Sequence, residues 1–425
     1  MKIKIYIAFV FSILSFFGWS QHSQDPSQTQ KILLLGGTAH LGNGKVIKDA
    51  AIAFENGKIT FVKNLLLQNV DTLEFDAVFH TKNKHIYPGF IATNSTLGLF
   101  EIGAVRATLD YKEVGEYNPN VRTITSYNTD SRIIPTIRTN GILLGQISPR
   151  GGVISGTSSV VHFDAWNWED ALVKLDEGIH MNWPKYRIIN GSDKKYINNV
   201  NQIHSFFDKA KAYYEEKDNA IDLKLEALVG IFNGNKRLYI NANDVRQIKD
   251  LIAFKKKYNI QRLSIVGGQQ AVLVPDLLTE NKISVLLKRV HSLPKYKQSE
   301  IHGPYESAAI LSKEGVEFCF QNAGDMEQMQ TRNLPFLAGT AIAYGLDYEL
   351  AVKALTQTPA KILGLKNYGE LKVGKSATLF ISEGDALDII SNKVTYAFID
   401  GRRIELKNEQ EKNYIKYKKK YNLKN

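Results

Sequence analysis

The sequence predicts an α/β protein, a (β/α)8 TIM barrel with a composite β-sandwich domain formed from both termini. Three observations carry that expectation. Short strands punctuated by turns fill residues 31–86, apolar strands alternate with helices over 87–365, and strand patterns return over 366–406. Strand, helix, strand at this rhythm is the pattern of parallel βαβ units, and eight of them take ~250 residues as one barrel.

Composition fits a folded chain. Of 425 residues, 44% are hydrophobic and 23% charged, which excludes a disordered polymer or a charged coiled coil. The single cysteine, Cys319, excludes a disulfide framework and a thiolate metal cage. Residues 1–20 read as a signal peptide, because Lys2 and Lys4 precede an apolar run over 5–19 that is shorter than the ~20 residues a spanning helix needs. The expected localisation is therefore periplasmic or secreted, without a stable membrane anchor.

The first β segment holds KILLLGGTAHLGNG, then AIAFENGKITFV, a hairpin around Asn56-Gly57, then DTLEFDAVFHTK. The barrel region begins with YPGFIATN after Pro88-Gly89 and continues with GILLGQISP and SSVVHFD. Four more strands follow as RLYINAN (237–243), RLSIVGG (262–268), ISVLLKRV (283–290) and VEFCFQNAG (316–324). VRQIKDLIAFKKKYN, QQAVLVPDLLTEN and YESAAILSKEG carry the helical period between them, and residues 201–230 read as a helical insertion. ISPRGGVISGTSS (147–159) lacks the Gly-Lys-Ser/Thr of a phosphate loop and reads as the second and third strands joined by a tight loop. After a helical pair over 334–365, GELKVGKSATLFISEG and KVTYAFIDGRRIEL return to strands. Two β segments flanking a barrel pack most simply as one sandwich.

Charge sits at the end of the chain. The formal net charge is +11, or +9 without Lys2 and Lys4. Residues 407–425 hold seven Lys against two Glu, a net +5, so this basic tail carries most of the excess. A Lys/Tyr-rich terminal helix is most simply a solvated end, and no nucleic-acid signature accompanies it. The expected partner is a small-molecule ligand or substrate, with no nucleic acid.

At YPGFIATNST and TPAKILGLKNYGELKVGKSATLFISEGDALD the chain resembles the amidohydrolase superfamily, metal-dependent hydrolases on a barrel with a two-ended sandwich. The likeness spans residues 31–406 and is closer to an exported, imidazolonepropionase-like branch of Bacteroidetes-type bacteria. It implies hydrolysis of a non-peptide C–N bond, a cyclic amide among the candidates. It also implies a Zn²⁺ held by Asp-x-His-x-His on the first barrel strand, since residues i and i+2 share a strand face. The aligned positions here are Ala92, Asn94 and Thr96. The fifth-strand histidine falls on Asn241, the sixth strand ends in Gly267-Gly268, and the eighth-strand acid aligns with Asp325.

A count made without the family agrees. The nine histidines (22, 40, 80, 85, 162, 180, 204, 291 and 302) include no pair two or four positions apart, so neither HxH nor HExxH occurs. No metal ligand set and no cofactor are expected, and Zn²⁺ by family analogy lacks its imidazoles. The barrel rim still collects Asn94, Thr96, Asn241, Asn243, Arg289, His291, Asn322 and Asp325, with His162 as a further candidate to reach it. Asp325 is the candidate catalytic acid. His291, Asn241, Asn243, Arg289, Asn94 and Thr96 are the candidate substrate-binding residues. The segment 105–141 reads either as a wall of this mouth or as a salt-bridged connection. Three functions stand open: a hydrolase with a remade site, a non-catalytic relative that binds a ligand or pairs with itself or an active paralogue, and hydrolysis by two carboxylates without metal.

Overall fold

A computed structural model describes residues 27–423 apart from 189–190, 217–219, 295–298 and 325. The signal assigned to residues 1–20 lies outside the described residues. No helix among those described is long and apolar enough to cross a membrane.

The amino-terminal segment forms β1 (Ile32–His40), β2 (Val46–Glu55), β3 (Lys58–Asn64), β4 (Ala77–His80) and β5 (His85–Pro88). The Asn56-Gly57 turn joins β2 to β3 as the sequence predicts. Both residues have positive φ, 50° and 76°, which matches the right-handed twist of a two-residue hairpin.

Barrel strands follow: β6 (Phe90–Ser95), β7 (Ile142–Ile147), β8 (Ile154–His162), β9 (Leu172–Asn182), β10 (Arg237–Ala242), β11 (Leu263–Gly267), β12 (Ser284–Leu287) and β13 (Phe318–Phe320). Each pairs with the next, and the ring closes where Thr93 bridges Gln321 and its hydroxyl donates to the Phe320 carbonyl at 3.1 Å. The strand count matches expectation and one direction does not. Seven strands run parallel to one another, but β8 runs antiparallel to both β7 and β9. The cause is the Arg150-Gly151-Gly152 turn. With φ of 86° and 58°, the two glycines reverse the chain within residues 148–153, far fewer than the dozen a parallel crossover needs. Strand β9 is a second correction, because LVKLDEGIHMN was not read as a strand.

The helical insertion forms Lys194–Glu215 and Leu223–Phe232, which pack beside Val245–Lys257. Asp244 and Gln247 close a capping box at the start of that last helix. Phe207 is fully buried there, edge-on to Phe254 at 4.7 Å. The terminal pair proves to be three helices, Leu334–Ala343, Tyr348–Leu355 and Gln357–Leu363.

The chain then returns as β14 (Leu379–Ser382), β15 (Val394–Ile399) and β16 (Arg402–Arg403). β14 pairs antiparallel with β5, Leu379 opposite Pro88, so strands from both ends make one sheet. That sheet curls on itself. Phe79 of β4 meets Phe398 and Tyr396 of β15 edge-on over a core of Ile32, Ile52, Phe54, Ile86 and Leu379. The tail forms an exposed helix, Glu409–Lys420, without buried residues.

Candidate functional site

The barrel mouth is a cavity of about 360 Å³, within the usual range for small-molecule sites. Its floor and rim are amide-rich: Asn94 on β6, Asn182 at the end of β9, Asn241 and Asn243 at and after the end of β10, and Gln321 after β13. These amides form a ladder. Asn241 Nδ2 donates to Asn182 Oδ1 at 3.3 Å, and Asn243 Nδ2 donates to Asn241 Oδ1 at 3.2 Å. Gly267 makes room for it. A Cβ there would stand 2.5 Å from Asn243 Oδ1, so the missing side chain on β11 is what lets Asn243 in.

One ion pair crosses the rim. Because β8 runs backwards, the β7–β8 turn rises beside β6 and delivers Arg150. Its guanidinium donates to Asn94 Oδ1 at 3.0 Å, to the Asn94 carbonyl at 2.7 Å and to Glu327 Oε1 at 3.0 Å. Glu327 also accepts from the Thr96 hydroxyl and, at Oε2, from the Gly324 amide at 3.1 Å. Asn94 takes φ 51° where β6 breaks register, a conformation asparagine tolerates better than most residues.

Beneath the mouth lies a buried polar network. Glu177 Oε1 accepts from Ser158 Oγ and Gln146 Nε2, each at 2.6 Å, and Oε2 accepts from the Tyr239 hydroxyl at 2.9 Å. Burial raises the Glu177 carboxyl above its usual range, with the three donors pulling the other way. His180 lines the cavity, stacks on Tyr239 at 4.7 Å, and sets Nε2 3.0 Å from Ser158 Oγ. Burial, then the nearby Arg150 charge, holds its imidazole well below 6.5 and therefore neutral at pH 7. Gln146 joins floor to rim by accepting the Asn94 amide at 2.9 Å.

That histidine belongs to a set with a measurable consequence. Burial also depresses His85, His162, His204 and His291. Below a pH of about 6.5 the unfolded chain binds protons these folded rings refuse, so stability falls as pH falls through that value. Glu177 opposes this, since its raised carboxyl favours the folded state towards low pH, but it is one group against five. The unfolding midpoint is expected to be lower at a pH of about 5.5 than at about 7.5. A flat or rising profile towards acid would contradict this.

No family model matches the chain. An amidohydrolase from Thermotoga maritima MSB8 superposes with a TM-score of 0.76 at 24% identity, covering 88% of this chain and 100% of that one. The A. niger ochratoxinase gives 0.53 at 14%, covering 92% and 100%. A zinc-bound adenosine deaminase from Xanthomonas campestris gives 0.52 at 13%, covering 93% and 99%. The chain has the amidohydrolase-superfamily fold. Among curated sequences, amidohydrolase tasK of Hapsidospora irregularis is 21% identical over 187 residues, 42% of this chain but only 18% of that protein's length.

On this amidohydrolase scaffold the residues singled out by sequence scatter. Asn94, Asn241 and Asn243 line the mouth together. Thr96 instead holds Glu327 and borders the neighbouring cavity. Arg289 is turned aside, its guanidinium donating to the Asn322 carbonyl at 2.9 Å. His291 bonds the Thr340 hydroxyl at 2.6 Å and is not among the lining residues. Asp325 lies outside the described residues; the described carboxylate that lines the mouth is Glu327. His162 sits at the other end of the barrel, opposite Leu144 near the start of β7, because its strand runs backwards. The segment 105–141 serves both readings. Tyr111 accepts the Arg150 amide at 2.7 Å beside the mouth, while Arg122 pairs with Asp176 at 2.9 Å.

Zinc does not fit the donors found among the described residues. Among the described residues no group of three or more His, Cys, Asp or Glu is placed to hold a metal. Among the described residues the mouth offers carboxamides, one imidazole turned towards Ser158, and a carboxylate already bonded by Arg150, Thr96 and Gly324. Amide oxygens suit harder ions than Zn²⁺, and a tetrahedral zinc site needs several imidazole, thiolate or carboxylate donors. Sequence reasoning missed Gln146, Arg150, Glu177, His180, Tyr239 and Glu327. The available signal was polar residues inside strand patterns, Gln146 within ILLGQI above all.

Proposed function

We propose that the chain is a hydrolase of the amidohydrolase fold that opens a non-peptide C–N bond, with cyclic amides as candidate substrates, at a mouth remade without the histidine–zinc centre. The observation that carries this reading is His180, a neutral imidazole lining an amide-rich cavity at the substrate end of the barrel. We assign the His180 hydrogen to Nε2, donating to Ser158 Oγ at 3.0 Å while Ser158 donates to Glu177; the second Gln146 amide hydrogen, 3.3 Å from both His180 Nε2 and Ser158 Oγ, then turns to Ser158, and the His180 lone pair is on Nδ1. In the proposed reaction that nitrogen takes a proton from water as the water oxygen attacks the carbonyl carbon. Asn241 and Asn243 each donate one amide hydrogen within the ladder and keep a second for the developing oxyanion. When the C–N bond breaks, His180 returns the proton to the leaving nitrogen, giving a carboxylic acid and an amine, and the acid then passes its proton to the amine.

A second reading has its own support. Glu327, the described carboxylate at the rim, accepts from three partners and is not free to shuttle protons, which favours a ligand-binding protein without catalysis. One experiment separates the two. Purified protein is assayed for bound metal and for amine release from cyclic amides, alongside His180→Gln. The hydrolase reading expects turnover that survives chelation and drops about 10²–10⁴-fold in the variant. Turnover lost with one equivalent of transition metal would overturn the metal-free mechanism. Amides that raise the melting temperature but are never cleaved would replace it with the binding reading.

A further inference from the structure

The mouth has a neighbour. A second cavity, of about 440 Å³, shares Arg150, Gly324 and Glu327 with it, so the ion pair stands as the wall between them. The chemistry changes across that wall. On the mouth side lie carboxamides, whereas on the far side, beside the polar Glu101 and Gln328, Phe100, Tyr111, Ile133 and Met329 contribute rings, a branched aliphatic chain and a thioether. Phe100 and Tyr111 support one another, their ring centroids 5.5 Å apart. Met329 is 54% exposed and Met326, which lines the same cavity, 64%, so the two thioethers offer a joint apolar surface for a ligand to cover. The wall itself is fixed. Asn94, Thr96 and the Gly324 amide hold Arg150 and Glu327 in place, so the pair presents a constant ridge over which a ligand can lie.

We propose that the two cavities form one bipartite site for an amphiphilic amide, whose polar amide head sits in the mouth and whose apolar acyl or alkyl tail crosses the Arg150–Glu327 ridge into the second chamber. This rests on the reading of the mouth as an amide site and adds the substrate's shape to it. The polar head meets unmet amide hydrogens at Asn241 and Asn243. The tail removes the Met329 and Tyr111 surfaces from water, which is where tail-dependent affinity arises.

The test is a matched series, N-acetyl-, N-hexanoyl- and N-octanoylglycinamide, titrated calorimetrically into the purified protein and its Met329→Glu variant. A methylene fully withdrawn from water tightens binding about fourfold, so even partial burial makes the octanoyl compound bind at least about tenfold tighter than the acetyl one. In Met329→Glu that gain is expected to vanish while the acetyl compound binds as before. Met329 is surface-exposed, so the variant is expected to fold, and Tyr111→Ser provides a second, uncharged lesion in the same chamber. Equal affinity for acetyl and octanoyl compounds in the unmodified protein overturns the tail chamber and leaves the mouth reading standing. A length gain that persists in both variants places the tail elsewhere and also overturns it. Failure of all three compounds to bind overturns the bipartite site, while the mouth reading stands or falls on the cyclic-amide assay.

Discussion

Glu177→Ala is expected to lower the free energy of unfolding by about 3–5 kcal/mol, read as a shift of the guanidinium midpoint. The carboxylate is fully enclosed and accepts from Ser158, Gln146 and Tyr239. Removing it leaves the Tyr239 hydroxyl without an acceptor in a place water does not reach, at about 1–3 kcal/mol, leaves Ser158 and Gln146 with longer contacts only, at 3.3 Å to the Gly178 carbonyl and to Ser158 Oγ, and adds a void. Glu177→Gln keeps the volume and one acceptor oxygen but turns an N–H towards existing donors, so it is expected to fall between the parent and the alanine variant. The damage extends upward. Gln146 loses its Glu177 partner and with it the fixed position from which it accepts the Asn94 amide, so the rim loosens as the floor fails. An unshifted midpoint would mean the network contributes nothing to holding β7, β8, β9 and β10 together.

Phe207→Ala ranks beside it, at about 3–5 kcal/mol. The ring is fully buried between the inserted helix Lys194–Glu215 and the barrel helix Val245–Lys257, meeting Phe254 at 4.7 Å, Tyr258 at 5.5 Å and Phe232 at 6.4 Å. Few small residues stand ready to collapse into the gap, because its neighbours are themselves large rings. The expected outcome is a lower midpoint with the far-ultraviolet spectrum retained below it. If the inserted helices were merely laid on the surface, the substitution would cost less than about 1 kcal/mol.

Much of the scaffold was legible because its local chemistry agrees with its global place. Asn56-Gly57 is a hairpin turn by itself, and RLYINAN, RLSIVGG and VEFCFQNAG are apolar runs where a parallel strand buries both faces. What stayed hidden has a physical reason in each case. β9 carries Lys174, Asp176, Glu177 and His180, and a strand whose interior is polar loses the apolar signature even though every one of these groups has a place in the fold. The reversal of β8 was implicit in Gly151-Gly152 and in the short connection, but its consequence, carrying His162 to the wrong end, follows only from direction. At the site, spacing placed Asn94, Asn241 and Asn243 on one rim. It had no way to tell that Arg289 and His291, just past the end of β12, turn to Asn322 and Thr340 instead.

The pairing of β14 with β5 also has a meaning in time. Pro88 and Leu379 face each other across the sheet although nearly the whole barrel is synthesised between them. While the chain is being made, β1 to β4 can associate as soon as they emerge, but β5 keeps an unpaired edge until Leu379–Ser382 has been made, and exposed edges invite wrong partners. Closing so long a loop is also slow relative to local events. The sheet therefore works as a seal applied last. A chain interrupted anywhere in the barrel is left with an open edge at its beginning, and only a finished chain can hide it.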